Sequence, residues 1–304
     1  MDLQDQIVWI DGAGQRLGLV PKLGGGVAAW QWSTPTGLID LWRRWTGASD
    51  DRYTLASFAM VPWSNRISGG GFTHDGRQYP IRPNRAGEPY PIHGDGWLQA
   101  WQLDRPEAAT AVMRLRSTNF DGDPYVYEAE QRFSLVAGGL DQTLTVTHIG
   151  AGSLPYGLGV HPWFVRTTRT RLQANIRGVW LCGEDPIPTR YTSDLPATWD
   201  LRSGAPMAGA LIDNGYTGWD GHAQIHWPER RLLLEVDSEV DKVPAEPSAS
   251  SYCLVYRPPT GDAFCFEPIT QPIDAFHLDG RPGLITLAKG ERMSLRIRWR
   301  MRSE

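Results

Sequence analysis

The stretch Arg292-Met293-Ser294-Leu295-Arg296-Ile297-Arg298-Trp299-Arg300-Met301 decides the fold class. Met293, Leu295, Ile297, Trp299 and Met301 alternate with Arg292, Ser294, Arg296, Arg298 and Arg300, so one face is apolar and the other is arginine-rich. Successive strand side chains point to opposite faces, and this period of two predicts a half-buried antiparallel strand. Tyr127, Ala129, Gln131, Phe133 and Leu135 alternate in the same way with Glu128, Glu130, Arg132 and Ser134, and residues 111–116 do so less cleanly. In Phe72-Thr73-His74-Asp75-Gly76-Arg77-Gln78-Tyr79, Asp-Gly separates two short extended runs. That is a hairpin signal, because a type I′ turn needs positive φ at both central residues.

No window of a dozen residues carries a 3.6-residue apolar stripe between capping signals, so little helix is expected. Short strands separated by Gly, Pro, Asn and Asp turns predict an all-β protein, a large antiparallel sandwich or barrel, as a single domain over residues 1–304. The most linker-like piece, DSEVDKVPAEPSASS from Asp237 to Ser251, reads as a surface loop as readily as a boundary.

The composition narrows the function classes. With 304 residues the chain can close a core without staples, and 41% hydrophobic and 11% aromatic residues exclude disorder despite 33 glycines and 23 prolines. A net charge of −4 offers no electrostatic footprint for nucleic acid or an anionic membrane, and small neutral ligands fit better. Cys182, Cys253 and Cys265 are few and lack CxxC spacing, so reduced thiols are expected, with no disulfide framework and no cysteine zinc site. The opening MDLQDQIVWIDGAG has neither a basic nor an apolar leader region, and no stretch reaches the ~18 apolar residues of a membrane span, which predicts a cytoplasmic protein.

Fourteen tryptophans allow sugar stacking, but core packing accounts for most of them. In Leu158-Gly159-Val160-His161-Pro162-Trp163-Phe164, Pro162 should end a strand and leave His161 at its rim. In Ala263-Phe264-Cys265-Phe266-Glu267-Pro268, alternation puts Glu267 on the face of Ala263 and Cys265, with a proline immediately after. A carboxylate closing an apolar strand is expected to be partly buried. Burial would raise its pKa toward that of a useful general base, whereas an arginine neighbour or an edge salt bridge would make it an ordinary surface acid. Two glycines flank the turn at His93-Gly94-Asp95-Gly96-Trp97, and Arg66 follows turn-forming Asn65. His222 and His226 have the spacing of a helical metal pair, but their segment alternates as a strand, so both are expected to face solvent and no metal site is assigned.

Taken together, the runs VPWSNRISGGGFTHDGRQYPIRPN, PIHGDGW, PYGLGVHPWF, LIDNGYTGW and FCFEP, in that order, resemble the aldose 1-epimerase (galactose mutarotase) family from about Leu17 to Trp299. The resemblance implies the family's large antiparallel supersandwich and an isomerase that interconverts the α and β anomers of a free aldose without metal or other cofactor. It implies that Glu267 is the general base and His161 the general acid. His93, Arg66 and Asp213 would bind the sugar, with Asp220 as the competing aspartate. Asn65 could touch the sugar, although turn formation accounts for it too, and Trp97 and Trp163 would wall the pocket. The expected partner is a small-molecule sugar, the expected state a monomer or homodimer. Two alternatives stand beside this reading: a non-catalytic carbohydrate-binding protein on the same sandwich, and a mutarotase for a phosphorylated or sulfonated sugar. Arg82 and Arg85 would serve the anion in the second case, and are otherwise read as surface residues. A glycoside hydrolase is disfavoured, because only one carboxylate pairs with the histidines.

Overall fold

The computed structural model describes residues 3–243, 248–249 and 251–303. Strands make up 51% and no described helix reaches seven residues, so the chain is all-β. No helix of the described residues is long and apolar enough to cross a membrane.

A ten-stranded sheet has at its centre Leu232–Val243, Arg292–Ser303, Gly139–His148, Val126–Val136 and Thr110–Thr118, all antiparallel neighbours in that order. The arginine-alternating segment is thus the central strand Arg292–Ser303. Its Met293, Leu295, Ile297 and Trp299 are buried, while Arg296, Arg298 and Arg302 pair with Asp241, Glu239 and Glu235 of the adjacent strand. The Phe72 hairpin forms as expected, with Gly71–His74 paired to Arg77–Pro80 and positive φ at Asp75 (48°) and Gly76 (73°).

An eight-stranded antiparallel sheet packs against the first. It runs from Arg190–Thr192 and Gly178–Leu181 through Ile212–Thr217, Tyr252–Arg257 and Ala263–Ile269 to Gly159–Val160 and Ala59–Met60. One face supplies Val179, Tyr216, Val255, Phe264 and Phe266 to the core shared with Trp299, Ile297 and Leu234 of the larger sheet. Trp299 bridges the two, its ring 5.6 Å from Trp42 and 5.7 Å from Phe164, both edge-on or tilted as aromatic quadrupoles prefer. Ten of the fourteen tryptophans are buried, in keeping with a packing role for most of them.

The linker-like stretch resolves differently from expectation. Its first part, Asp237 to Val243, continues the long strand Leu232–Val243, and Ser248–Ala249 pairs back onto that strand. Residues 244–247 and 250 lie outside the described residues. Cys182, Cys253 and Cys265 are free thiols. His222 lies on a strand, exposed, with Nδ1 2.9 Å from Asp237, and His226 shares its face.

Candidate active site

The outer face of the smaller sheet carries the site, at a gap in strand pairing. Ala263–Ile269 pairs on one flank with Tyr252–Arg257 and on the other with two short strands, Gly159–Val160 and Trp163–Val165. Gly159 faces Ile269 and Trp163 faces Cys265, so the register is the same on both sides of the gap and sets His161 directly across from Glu267. Pro162 has no N–H for the ladder, and the His161 N–H turns away to donate to the Phe58 carbonyl at 3.0 Å. Pro268 does not end its strand, contrary to expectation. The strand continues to Ile269, which pairs with Tyr252 on one flank and Gly159 on the other.

His161 Nε2 and Glu267 Oε1 are 3.4 Å apart, and both side chains are buried. Aromatic rings pack around the imidazole: Phe58 stacks at 4.6 Å, and Tyr53, Trp163 and His93 lie 5.7, 5.8 and 5.4 Å away. Burial therefore pushes the Glu267 carboxyl well above the usual carboxylate range, with Asp213 adding and Arg66 opposing. The same desolvation, helped by the charges of Arg43 and Arg85, pushes His161 down to about 3. Glu267 Oε2 and His161 Nδ1 have no hydrogen-bond partner. Glu267 is thus fully rather than partly buried, on the face shared with Ala263 and Cys265.

His93 is held by reciprocal bonds. The Asn65 N–H donates to His93 Nδ1 at 3.0 Å, and the His93 N–H donates to the Asn65 carbonyl at 2.9 Å. With Nδ1 accepting, the ring proton of the neutral imidazole sits on Nε2. Burial holds His93 well below the ordinary imidazole range, so it is neutral. The residue adopts φ 62°, and Gly94 beside it has φ 67° with Val61 O so near that an added Cβ would stand 2.2 Å away. Asn84 braces this turn, donating to the Ile92 and Gly94 carbonyls at 2.9 and 2.8 Å.

Arg66 forms a two-pronged pair with Glu88, at 3.0 and 3.2 Å. Asp213 stands on Ile212–Thr217, in register with Tyr256, and its side chain opens to the hollow. The surrounding protein raises its pKa while Arg66 opposes the rise. Arg43 lies 3.9 Å over the Trp163 ring and donates to the Tyr53 and Leu55 carbonyls, and Arg85 lies 3.6 Å over the Tyr53 ring.

These side chains line one cavity of about 350 Å³, a size suited to a small polar ring. Glu267, His161, His93, Arg66, Asp213, Asn65 and Trp163 all reach it. Trp97 does not, and its place in the pocket wall is corrected: it is buried behind His93, stacked on Phe58 at 5.6 Å, with its indole N–H donating to the Gly94 carbonyl. Asp220 lies elsewhere, accepting from Asn175 and from the His222 N–H. Arg85 lines the cavity rather than the outer surface, whereas Arg82 is exposed outside it. Arg43, Tyr53 and Glu88 were not expected. Arg43 sits in the unremarkable run Asp40-Leu41-Trp42-Arg43-Arg44-Trp45, and no local pattern ties Glu88 to Arg66. A larger hollow of about 860 Å³ lies on the solvent face of the ten-stranded sheet, but its Arg114 and Arg116 are spent on Glu130 and Glu128, so it holds no comparable constellation.

A sequence model of the aldose 1-epimerase family matches residues 7–300. The uncharacterized protein YphB of Escherichia coli K12 is 33% identical over 287 residues, covering 90% of this chain and 93% of its own. The crystal structure of an E. coli K12 protein provisionally described as an aldose 1-epimerase superimposes with a TM-score of 0.88 at 28% identity, covering 98% and 99% of the two chains. A galactose mutarotase-like protein from Clostridium acetobutylicum shares the fold, with a TM-score of 0.84 at 16% identity over 98% and 95%. With a family match over nearly its whole length and a relative of this identity, the chain belongs to the aldose 1-epimerase family.

Proposed function

We propose that the protein is an aldose mutarotase that interconverts the α and β anomers of a free, uncharged aldose. The observation that carries the reading is the register that sets Glu267 against His161, 3.4 Å apart, in the wall of a sugar-sized cavity. O1 and O5 of a pyranose are bonded to the same carbon, so an acid and a base that touch each other can reach both.

Ring opening begins when Glu267 takes the proton of the C1 hydroxyl. The C1–O1 bond becomes a carbonyl, the C1–O5 bond breaks, and O5 takes a proton from His161. Rotation about C1–C2 presents the other carbonyl face. In closure O5 returns its proton to His161 as it attacks C1, and O1 recovers a proton from Glu267, so nothing is consumed. Each positioned transfer is worth ~10²–10⁴-fold.

The buried pair holds one proton in total. Desolvation in the free protein favours that proton on Glu267, with His161 neutral. The reactive arrangement, with carboxylate and imidazolium, has the same proton count and is reached by a shift across the 3.4 Å contact without exchange with solvent. His93 Nε2–H and Arg66, its guanidinium fixed by Glu88, donate to sugar oxygens that gain charge, and Asp213 accepts from ring hydroxyls. Trp163 and Asn65 contribute to the wall.

The test is anomer exchange of galactose and glucose, followed by NMR magnetisation transfer or polarimetry. Wild-type protein is expected to accelerate it, and Glu267→Gln and His161→Asn each to lose ~10²-fold or more while staying folded. Sugar binding without exchange across a panel of aldoses would leave only a carbohydrate-binding protein.

A further inference from the structure

We propose that His161, Cys265 and Glu267 form a binding site for a zinc-class divalent cation, with a fourth coordination position facing the cavity. The proposal rests on geometry and is independent of the mutarotase reading. One imidazole nitrogen, one thiol sulfur and one carboxylate oxygen lie within 4.8 Å of one another, and no other such group of three occurs among the described residues. The fold places them there: Cys265 and Glu267 share one face of Ala263–Ile269, and His161 stands opposite Glu267 across the gap in pairing.

Two further observations point to a ligand. His161 and Glu267 are 5% and 3% exposed, yet His161 Nδ1 and Glu267 Oε2 lack any hydrogen-bond partner. A buried carboxylate oxygen left unpaired is costly, and a cation that engaged Glu267 would relieve that cost. Two of the three side chains also line the cavity, which gives the ion an entry path.

The charge balance favours a dication. Binding releases one proton from the Cys265 thiol and one from the Glu267 carboxyl to solvent through the cavity, with no oxidation or reduction. Thiolate and carboxylate then offset the ion's two positive charges, and neutral His161 completes a centre with no net charge in a buried place. Sulfur and imidazole select zinc or cobalt over magnesium and calcium, which prefer all-oxygen shells. Three protein ligands with a fourth position open is the arrangement of an accessible rather than a purely structural zinc site. Arg43, beside Cys265, opposes the cation and limits its affinity. Occupancy would tie up both members of the acid–base pair and so block any proton transfer between them.

The experiment is a cobalt titration of the full-length protein without sugar, followed by zinc competition. One equivalent of Co²⁺ is expected to give a thiolate-to-cobalt charge-transfer band that Zn²⁺ abolishes and Mg²⁺ leaves unchanged. Cys265→Ser should remove the band and weaken Zn²⁺ about 100-fold, whereas Cys182→Ser and Cys253→Ser should keep it. Should Cys265→Ser fail to fold, Glu267→Gln provides the check, keeping the band but binding Zn²⁺ at least about tenfold more weakly. Absence of the band in wild-type protein, or its persistence in Cys265→Ser, overturns the proposal. Both readouts are independent of anomer exchange.

Discussion

At the scale of single residues, opposed pKa shifts tie the stability of the molecule to pH. Burial raises Glu267 above its ordinary 4.5 and lowers His161 from 6.5 to about 3, so the folded pair keeps one proton over a wide range. The unfolded chain carries two protons on these groups below 4.5, one between 4.5 and 6.5, and none above. Where the unfolded state binds more protons, stability rises with pH, and where it binds fewer, stability falls. The pair therefore contributes most between pH 4.5 and 6.5, and its contribution declines on either side. Glu267→Gln removes the alkaline decline: at pH 8 the variant is expected to melt above wild type while losing the proposed anomer exchange, a trade of function for stability. Melting curves from pH 4 to 9 check this, and a wild-type protein that stays more stable than Glu267→Gln at pH 8 would contradict a raised carboxyl. The strand-end positions of His161 and Glu267 were legible from alternation and the prolines that follow them, whereas the expectation for His93, Arg66 and Asp213 came from the resemblance to the aldose 1-epimerase family; all five line the cavity. Glu88 and Arg43 were not legible, since their relevance comes from partners far away in the chain, Arg66 for one and the Trp163 ring for the other. Trp97 misled for a related reason: a tryptophan in a turn next to a site histidine can face the ligand or brace the turn from behind, and only packing against Phe58 decides.

At the scale of elements, the strand Arg292–Ser303 shows how unequal its two faces are. Trp299 is fully buried between the sheets, while Arg298 is half exposed and paired with Glu239 at 2.6 Å. Trp299→Ala should cost about 3–5 kcal/mol, from lost transfer energy plus a cavity that the flanking rings cannot fill. Arg298→Ala should cost under about 1 kcal/mol, because exposed ion pairs gain little in water and are screened by salt. Urea denaturation of the two variants checks the contrast. An Arg298→Ala loss as large as that of Trp299→Ala would mean that the cross-strand charge ladder carries the sheet. The alternation that separates the two roles is readable without coordinates, as is the Asp75-Gly76 turn. The gap between Gly159–Val160 and Trp163–Val165 is only half readable. Pro162 announces a break in its own strand, but Pro268 announces one that does not occur, its strand running on to pair Ile269 with Tyr252 and Gly159.

At the scale of the whole molecule, the sandwich separates rigidity from chemistry. One face of the smaller sheet is locked against the larger sheet by Phe264, Phe266 and Trp299, and the opposite face carries Cys265, Glu267 and Trp163, so the groups proposed to react stand on a backed surface rather than on loops alone. Loops bearing Arg66, Arg85, Glu88 and His93 close the hollow over that face. Three arginines line it, but each guanidinium is engaged: Arg66 by Glu88, Arg43 by two carbonyls and the Trp163 ring, and Arg85 by the Tyr53 ring with Asp51 and Glu88 at 3.9 and 3.8 Å. An anionic substituent would have to displace these contacts and would also meet the carboxylates of Glu88 and Asp213. A neutral hexose is therefore the expected substrate. For galactose or glucose, kcat/KM should be nearly independent of salt between 10 and 300 mM, because no charged partner is steered. For glucose 6-phosphate it should be about tenfold lower or less. A phosphorylated or sulfonated sugar that turned over faster than its neutral counterpart, with a rate that fell steeply with salt and with Arg85→Gln, would reassign Arg85 from structural support to reading an anion, while leaving the proposed acid–base pair in place.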